Sequence, residues 1–162
     1  MIRALPVAGA GRVALAAAVA FALDQLSKWW ILGPLDLRAV GIVDVFPPFL
    51  RFTMAWNPGA NFGLGGELGR DVWIAAAALI SIGLAIWSTR MRAPLRKVSV
   101  GLLIGGALGN ALDRVIHGAV VDFLNMSCCG FDNPYAFNLA DVFIFAGAAG
   151  LILLDGSDKQ GA

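Results

Sequence analysis

The chain has 162 residues, of which 59% are hydrophobic and only 14% are charged, and its formal net charge is +1. A soluble domain is normally about 45–50% apolar and about 25% charged, so too few polar side chains are present to cover a water-soluble globule, and an integral membrane protein is predicted. The small net charge gives no reason to expect a nucleic-acid partner, and one His with two adjacent Cys residues is not the ligand set of a usual structural zinc site.

The first predicted element is a membrane helix over residues 12–32. Its purely apolar part is too short to cross a hydrocarbon core of about 30 Å, so the helix is expected to carry Asp24 within it. Lys28 follows one helical turn later, placed for an ion pair with Asp24 or for snorkelling to the interface. A basic start before a short apolar run is also typical of a signal peptide, but no small-residue cleavage pattern follows, so we interpret the segment as an uncleaved span.

Residues 34–70 are predicted to form a small extracytoplasmic β-element. From Phe49 to Trp56 large apolar side chains alternate with Arg51, Thr53 and Ala55, which is the period of a strand. A turn-rich loop that contains Asn57 and Gly59 comes next. The apolar face of this β-element is expected to contact lipid or a substrate.

Three further spans are predicted, over residues 72–89, 98–114 and 136–154. The short loop between the first two is the most positively charged part of the chain, and the positive-inside rule therefore places it in the cytoplasm; its basic residues are Arg90, Arg92, Arg96 and Lys97. Both termini are then cytoplasmic, and residues 115–135 form a second outer loop.

The predicted fold class is thus an all-α membrane protein, a single integral membrane domain over residues 1–162. Four transmembrane helices carry the β-element between helices 1 and 2 and the outer loop between helices 3 and 4. Within helix 3 the residues Gly101, Gly105 and Gly109 repeat every four positions, which predicts close approach of another helix along that line.

The last apolar run, Val142 to Leu154, is also too short to span a bilayer alone. Residues 137–141 are therefore expected to be helical as well, with Asn138 on the same face as Asp141 and one turn before it. Asp141 then lies at or below the membrane surface, where a carboxylate costs several kcal/mol and is by default a candidate functional group.

On this topology the polar groups of spans 1, 3 and 4 and of the outer segments meet just beneath the outer surface. Several acids without a nucleophile–base pair favour general acid–base catalysis by two carboxylates that share one proton around a water molecule. No metal and no covalent intermediate are needed for that chemistry. The residues expected to meet are Asp24, Asn57, Asp113, Arg114, Asp122, Asn138 and Asp141.

Five blocks of the chain, in order and with matching separations over residues 12–155, resemble those of the bacterial lipoprotein signal peptidases (signal peptidase II), four-span membrane aspartic proteases. The blocks are Asp24-Gln25-Leu26-Ser27-Lys28, Asn57-Pro58-Gly59-Ala60-Asn61-Phe62, residues 105–114, Val121-Asp122-Phe123 and Phe137-Asn138-Leu139-Ala140-Asp141. Two features depart from the family pattern: Asn61 replaces a small apolar residue, and Cys128-Cys129 is an addition.

The resemblance implies an endopeptidase that removes the signal peptide from prolipoproteins, cutting before a Cys that carries diacylglycerol. It implies Asp122 and Asp141 as the catalytic pair and no cofactor. The implied localisation is the bacterial inner membrane, with the site near the periplasmic face. The enzyme is expected to be a monomer embedded in lipid. The residues implied to bind substrate or shape the site are Asp24, Lys28, Asn57, Gly59, Asn110, Asp113, Arg114 and Asn138, with Asp24 orienting Lys28 and Asp113 orienting Arg114.

Two other functions stay open for these residues. Buried Asp side chains also relay protons in small proton-coupled transporters or channel components, although the absence of an internal repeat and the crowding of acids on one side argue against this. A non-catalytic assembly factor is the third alternative, and such a protein would tolerate Asp141→Asn. Taken singly, Asp141 is explained equally well as an acid at a helix N-terminus.

Overall fold

The computed structural model describes residues 7–59, 66–128, 130–131 and 133–155 of the chain. The expectations about Asn61 and Cys129 therefore lie outside the described residues. The helices are α1 (Val7–Leu32), α2 (Leu37–Val40), α3 (Arg70–Ser88), α4 (Pro94–His117) and α5 (Leu139–Leu153), the strands are β1 (Ile42–Phe46), β2 (Leu50–Asn57) and β3 (Val120–Met126), and a 3-10 turn spans Gly66–Leu68.

The long helices have the length and composition of membrane spans. Within the described residues, Ala10–Leu32, α3 and α4 are each long and apolar enough to cross a membrane, while α5 is equally apolar but has only 15 residues. The predicted class, a multi-pass membrane protein built mainly of helices, is confirmed at that level.

Helix α4 forms the centre of the helical part, with α1, α3 and α5 packed around it. The glycines of α4 make this possible. A Cβ atom on Gly101 would lie 2.6 Å from the carbonyl oxygen of Val13, and one on Gly109 would lie 2.6 Å from the Asp24 carboxylate. The small-residue line predicted from the sequence is therefore the surface on which α1 rests, and it brings α1 close enough for Asp24 to reach the polar end of α4.

The three strands form an antiparallel sheet in the order β1-β2-β3, and β3 packs against α4. The prediction of a strand within residues 49–56 is confirmed by β2, but the description of residues 115–135 as a loop is wrong, because β3 lies there and completes the sheet. Val121 and Phe123 are buried with Ile31 and Leu37 in one apolar cluster, and burial of these side chains stabilises the third strand. The fold is thus helical with a small sheet, not all-α.

The boundaries of the last two long helices also differ from the predicted ones. Helix α4 continues to His117 and ends at Gly118, whose φ of 81° is readily adopted by glycine. Helix α5 begins only at Leu139, so the expectation of helix from residue 136 is wrong. The backbone of Phe137 forms hydrogen bonds with the backbone of Leu124 in β3. Asn138 is the N-cap of α5, and its side chain accepts a hydrogen bond from Asp141 N.

Candidate active site

Two buried carboxylates meet where β3 and α5 come together. Asp122 lies in the middle of β3, opposite Ala55 of β2, and Asp141 is the third residue of α5. Their exposed fractions are 2% and 4%. A strand and the start of a helix therefore bring together two acids that are 19 positions apart in sequence.

Asn138 connects the two acids. Its Nδ2 donates to Asp122 Oδ1 at 2.7 Å, while its Oδ1 accepts from Asp141 N and its own backbone N–H donates to Asp141 Oδ2 at 3.2 Å. The contacts with Asp141 form a capping box, which satisfies two donors at the start of α5. One fully buried side chain thus sets both the start of α5 and the position of Asp122 relative to Asp141.

Two further asparagines complete the amide shell. Asn110 of α4 donates from Nδ2 to Asp141 Oδ1 at 3.0 Å, and Asn57 at the end of β2 donates from Nδ2 to Asp122 Oδ2 at 3.1 Å. Each of the four carboxyl oxygens consequently accepts one N–H group. Such donors fix the orientation of both acids and leave a second lone pair of each oxygen for water or substrate.

Burial, and after it the neighbouring Asp141 carboxylate, raise the pKa of Asp122 to about 7, against the opposing effect of the hydrogen bonds from Asn57 and Asn138. An acid with a pKa near neutral holds a proton in a large fraction of molecules at physiological pH. One protonated and one ionised carboxyl in the same site is the condition that acid–base catalysis by a pair of aspartates requires.

A buried ion cluster lies behind the two acids. Lys28 Nζ is 2.8 Å from Asp24 Oδ2 and 2.7 Å from Asp113 Oδ2. Asp24 also accepts from Ala140 N at 2.9 Å, and Asp113 accepts from Val121 N at 3.0 Å. The cluster therefore connects α1 to α4, to α5 and to β3. The two backbone groups that it binds, Ala140 N and Val121 N, belong to the residues directly before Asp141 and Asp122.

The expected ion pair of Asp24 with Lys28 is present, but the partner of Asp113 differs from the predicted one. Asp113 orients Lys28 rather than Arg114, because adjacent residues on a helix point in different directions. Arg114 instead donates to Asn110 O at 3.0 Å and to Gly59 O. Since Gly59 N donates to Asn57 Oδ1, Arg114 holds the loop that presents Asn57 to Asp122.

Gln25 also belongs to this polar cluster and was not among the predicted site residues. Its Nε2 lies 3.1 Å from Asp24 Oδ2, 3.0 Å from Asp113 Oδ1 and 3.3 Å from Gly109 O. The sequence did contain an indication of this role, because Gln25 is adjacent to Asp24 within the first block that resembles the family. Gln25 supports both acids that flank Lys28.

An apolar groove of about 540 Å³ leads away from the acids along α5. Asp122 and Asp141 stand at its polar end, and Val142 and Phe145 are strongly exposed further along. A smaller cleft of about 160 Å³ lies on the other side of Asp122, between Asn57 and Tyr135. The site thus opens to an apolar groove on one side and to a smaller cleft of mixed lining on the other.

The chemistry available here is proton transfer. Within the described part of the chain no group of three or more His, Cys, Asp or Glu side chains is arranged to hold a metal ion. The acids of the site accept their bonds from amide N–H groups and from Lys28, and two of them face the groove. This arrangement is a candidate acid–base site in a protein built of membrane-spanning helices.

Comparison with known proteins agrees with the resemblance found in the sequence. The family Peptidase_A8, described as signal peptidase (SPase) II, matches residues 16–155. A lipoprotein signal peptidase of Caulobacter vibrioides is 46% identical over 142 residues, covering 86% of this chain and 82% of that protein. One from Rhodopseudomonas palustris is 42% identical over 144 residues, covering 85% of this chain and 87% of that protein.

Solved structures agree as well. A bacterial membrane enzyme determined by the in meso method at 2.3 Å resolution superposes with a TM-score of 0.78 and 30% identity, covering 92% of this chain and 91% of that one. A second such enzyme, at 1.9 Å resolution, gives a TM-score of 0.74 with 32% identity. The chain belongs to the signal peptidase II family, and it is a peptidase.

Proposed function

We propose that this peptidase hydrolyses its substrate with a water molecule activated between Asp122 and Asp141. Membership of the signal peptidase II family gives its activity: removal of the signal peptide from prolipoproteins. The cut falls on the N-terminal side of a Cys that carries diacylglycerol. No cofactor or metal takes part.

The reaction needs one ionised and one protonated acid. The ionised acid takes a proton from water as the water oxygen bonds to the scissile carbonyl carbon, and the carbonyl oxygen takes the proton of the other acid. The C–N bond then breaks, the amine nitrogen takes the proton from the first acid, and a hydroxyl of the tetrahedral carbon returns a proton to the second. One water is consumed and both acids are restored.

The observation that carries this proposal is the double contact of Asn138, whose side chain donates to Asp122 Oδ1 and whose backbone N–H donates to Asp141 Oδ2. Two carboxyl groups held by one buried residue lie in each other's field, so ionisation of one opposes ionisation of the other. A purely structural role for these acids would not require either of them at the mouth of an open groove. The test is cleavage of a diacylglyceryl-Cys precursor by the purified protein and by its Asn variants.

The groove along α5 is the proposed path of the substrate. A signal helix and acyl chains are apolar and arrive from the lipid, and the exposed Val142 and Phe145 match them in chemistry. The cleft beyond Asp122 then takes the peptide on the polar side of the scissile bond. Asn57, Gly59, Asn110, Arg114 and Asn138 hold the acids and this cleft in place.

The proposed topology has four spans in one membrane domain, with α5 as the fourth. Its 15 residues are preceded by residues 137–138 in extended conformation, and the buried Asn138 and Asp141 lie just beneath the outer membrane surface in this topology. Both termini are then cytoplasmic, in the bacterial inner membrane, and the site faces the periplasmic side. The enzyme acts as a monomer in lipid, without a nucleic-acid partner.

The pH dependence follows from Asp122. Because its pKa is raised to about 7, we expect kcat/KM to fall as the pH rises through about 7, since a pair with both acids ionised has no proton to give. The measurement is cleavage of the precursor in detergent from about pH 5 to about pH 9. This interval extends about two units on either side of 7 and so covers the titration of Asp122. A rate that stays constant up to the alkaline end would contradict the assignment of Asp122.

A large side chain in the groove should weaken substrate binding and leave the catalytic step at Asp122 and Asp141 unchanged. Ala149 lines the groove two turns beyond Asp141, and Ala149→Trp is expected to raise KM about tenfold while kcat stays within about twofold, because the apolar part of the substrate loses its place. Ala18→Trp on the exposed side of α1 is the matched control and should leave both constants unchanged. Equal KM values for the two variants would refute the proposed path.

A further inference from the structure

We propose that Lys28, acting through Asn110, makes Asp141 the ionised acid that takes the proton of water, and leaves Asp122 as the protonated acid. This inference rests on the proposed function and deepens it, because the two acids are given different roles. Lys28 is a positioning residue here, since the described contacts of its ammonium group are with Asp24, Asp113 and Asn110, not with the reacting acids.

The first support is the orientation of the Asn110 amide. Its Oδ1 accepts from Lys28 Nζ at 3.2 Å and from Asn138 Nδ2 at 3.0 Å. A rotated amide would place its NH₂ group against an ammonium and against another NH₂, which are both donors. The Lys28 charge therefore locks Asn110 with its Nδ2 pointing at Asp141, and it polarises the N–H that Asp141 accepts.

The second support is the position of Asp141 at the start of α5. The backbone N–H of Asn138 donates to its Oδ2, and the N-terminal end of a helix carries a partial positive charge that favours an anion. Asp122 lies within a strand, and its two described donors are the neutral side chains of Asn57 and Asn138. The surroundings of the two acids are thus unequal, and the ionised form is favoured at Asp141.

The other charged groups around Asp141 come from three packed elements. Asp24 opposes its ionisation while Lys28 favours it, and Lys28 is held by the two carboxylates on either side of it. Lys28 and Arg114 favour ionisation of Asp122 as well, so the difference between the two acids comes from the oriented Asn110 amide and from the start of α5. The Lys28 ammonium lies within 2.8 Å of both carboxylates, so the contact that orients Asn110 is part of a fixed buried cluster. The charged groups facing Asp141 are Asp24 and Lys28 from α1, Asp113 and Arg114 from α4, and Asp122 from β3.

The test uses two asparagines that are matched in chemistry and differ in which acid they serve. Asn110→Ala removes the side-chain donor to Asp141, and Asn57→Ala removes one donor to Asp122. The pH profile of kcat/KM reports the two ionisations of the pair, one on each limb. We expect Asn110→Ala to move the acid limb to higher pH by about one unit and to leave the alkaline limb in place. We expect Asn57→Ala to move the alkaline limb to higher pH by a similar amount and to leave the acid limb in place.

Lys28 itself is tested with two substitutions. Lys28→Met should move the acid limb in the same direction as Asn110→Ala, and Lys28→Arg, which keeps the charge, should restore most of the original profile. Where the Lys28→Met chain does not fold, as judged by thermal unfolding in detergent, the asparagine pair decides the assignment without it. A purely structural role would lower kcat/KM at all pH values without moving either limb.

Two results would overturn this inference. One is the reversed pattern, in which Asn57→Ala moves the acid limb and Asn110→Ala the alkaline limb. The other is a uniform loss of activity in both variants with unshifted limbs. Neither result touches the proposed function, which fails instead if Asp122→Asn or Asp141→Asn retains turnover.

Discussion

Asp141→Asn and Asp122→Asn are each expected to abolish cleavage of a lipidated precursor, with a loss of about 10³-fold or more in kcat, because an amide can neither accept nor supply the proton that the reaction moves. Both substitutions are nearly isosteric, so membrane insertion and expression should be unchanged. Asp122 and Asp141 are in contact with Asn57, Asn110 and Asn138, so the amide shell is retained around the altered side chain. The measurement is single-turnover cleavage of a diacylglyceryl-Cys precursor in detergent.

Asp36→Asn is the control for this experiment. Asp36 is an exposed aspartate with a φ of 45°, a conformation that Asn adopts readily, so neither stability nor turnover should change. If either dyad variant cleaves the precursor at a rate near that of the Asp36→Asn protein, that residue is not a member of the pair.

Gly105→Ala is expected to destabilise the packing of α1 against α4 strongly. Gly105 faces the backbone of Ala17, and its added Cβ would also lie 2.8 Å from Ala20 Cβ, closer than two carbon atoms pack. Helix α1 must then move away from α4, and overpacking of this kind costs about 1–3 kcal/mol in the free energy of unfolding. Thermal unfolding in detergent measures the loss, and activity should fall with it because α1 carries Asp24 and Lys28.

Gly83→Ala is the matched control, since Gly83 also lies within a helix but a Cβ there would have no atom within 4 Å. This substitution should be neutral or stabilise α3 by about 0.5–1 kcal/mol, because glycine is unfavourable inside a helix. A Gly105→Ala protein that unfolds at the same temperature as the Gly83→Ala protein would contradict the close contact of α1 with α4.

The placement of polar residues inside short apolar runs was predictable because a bilayer sets a minimum length for a helix. That argument alone put Asp24 within the first helix, and the structure shows it fully buried there. The glycine line of α4 was predictable for a related reason, since a repeat of four marks one face of a helix. The family resemblance was likewise confirmed, because its motifs lie in order along the chain.

The tertiary pairings were not predictable from local patterns. Strand β3 was missed because Val120–Met126 is buried on both faces and shows no clean alternation, so a period-2 search does not detect it. The start of α5 was placed too early because the length argument counts residues and cannot see that Phe137 bonds to Leu124. The partner of Asp113 depends on where α1 docks, and this is set by packing at Gly101 and Gly109 rather than by residues adjacent in sequence.

The dual role of Asn138 has a consequence for biosynthesis. Its side chain caps the start of α5 and also holds Asp122, and α5 follows the other long helices of the described chain in sequence. If the proposed mechanism holds, a nascent chain that has inserted only α1, α3 and α4 therefore lacks a working catalytic centre. We expect activity to appear when α5 docks, and a chain truncated before residue 138 to be inactive.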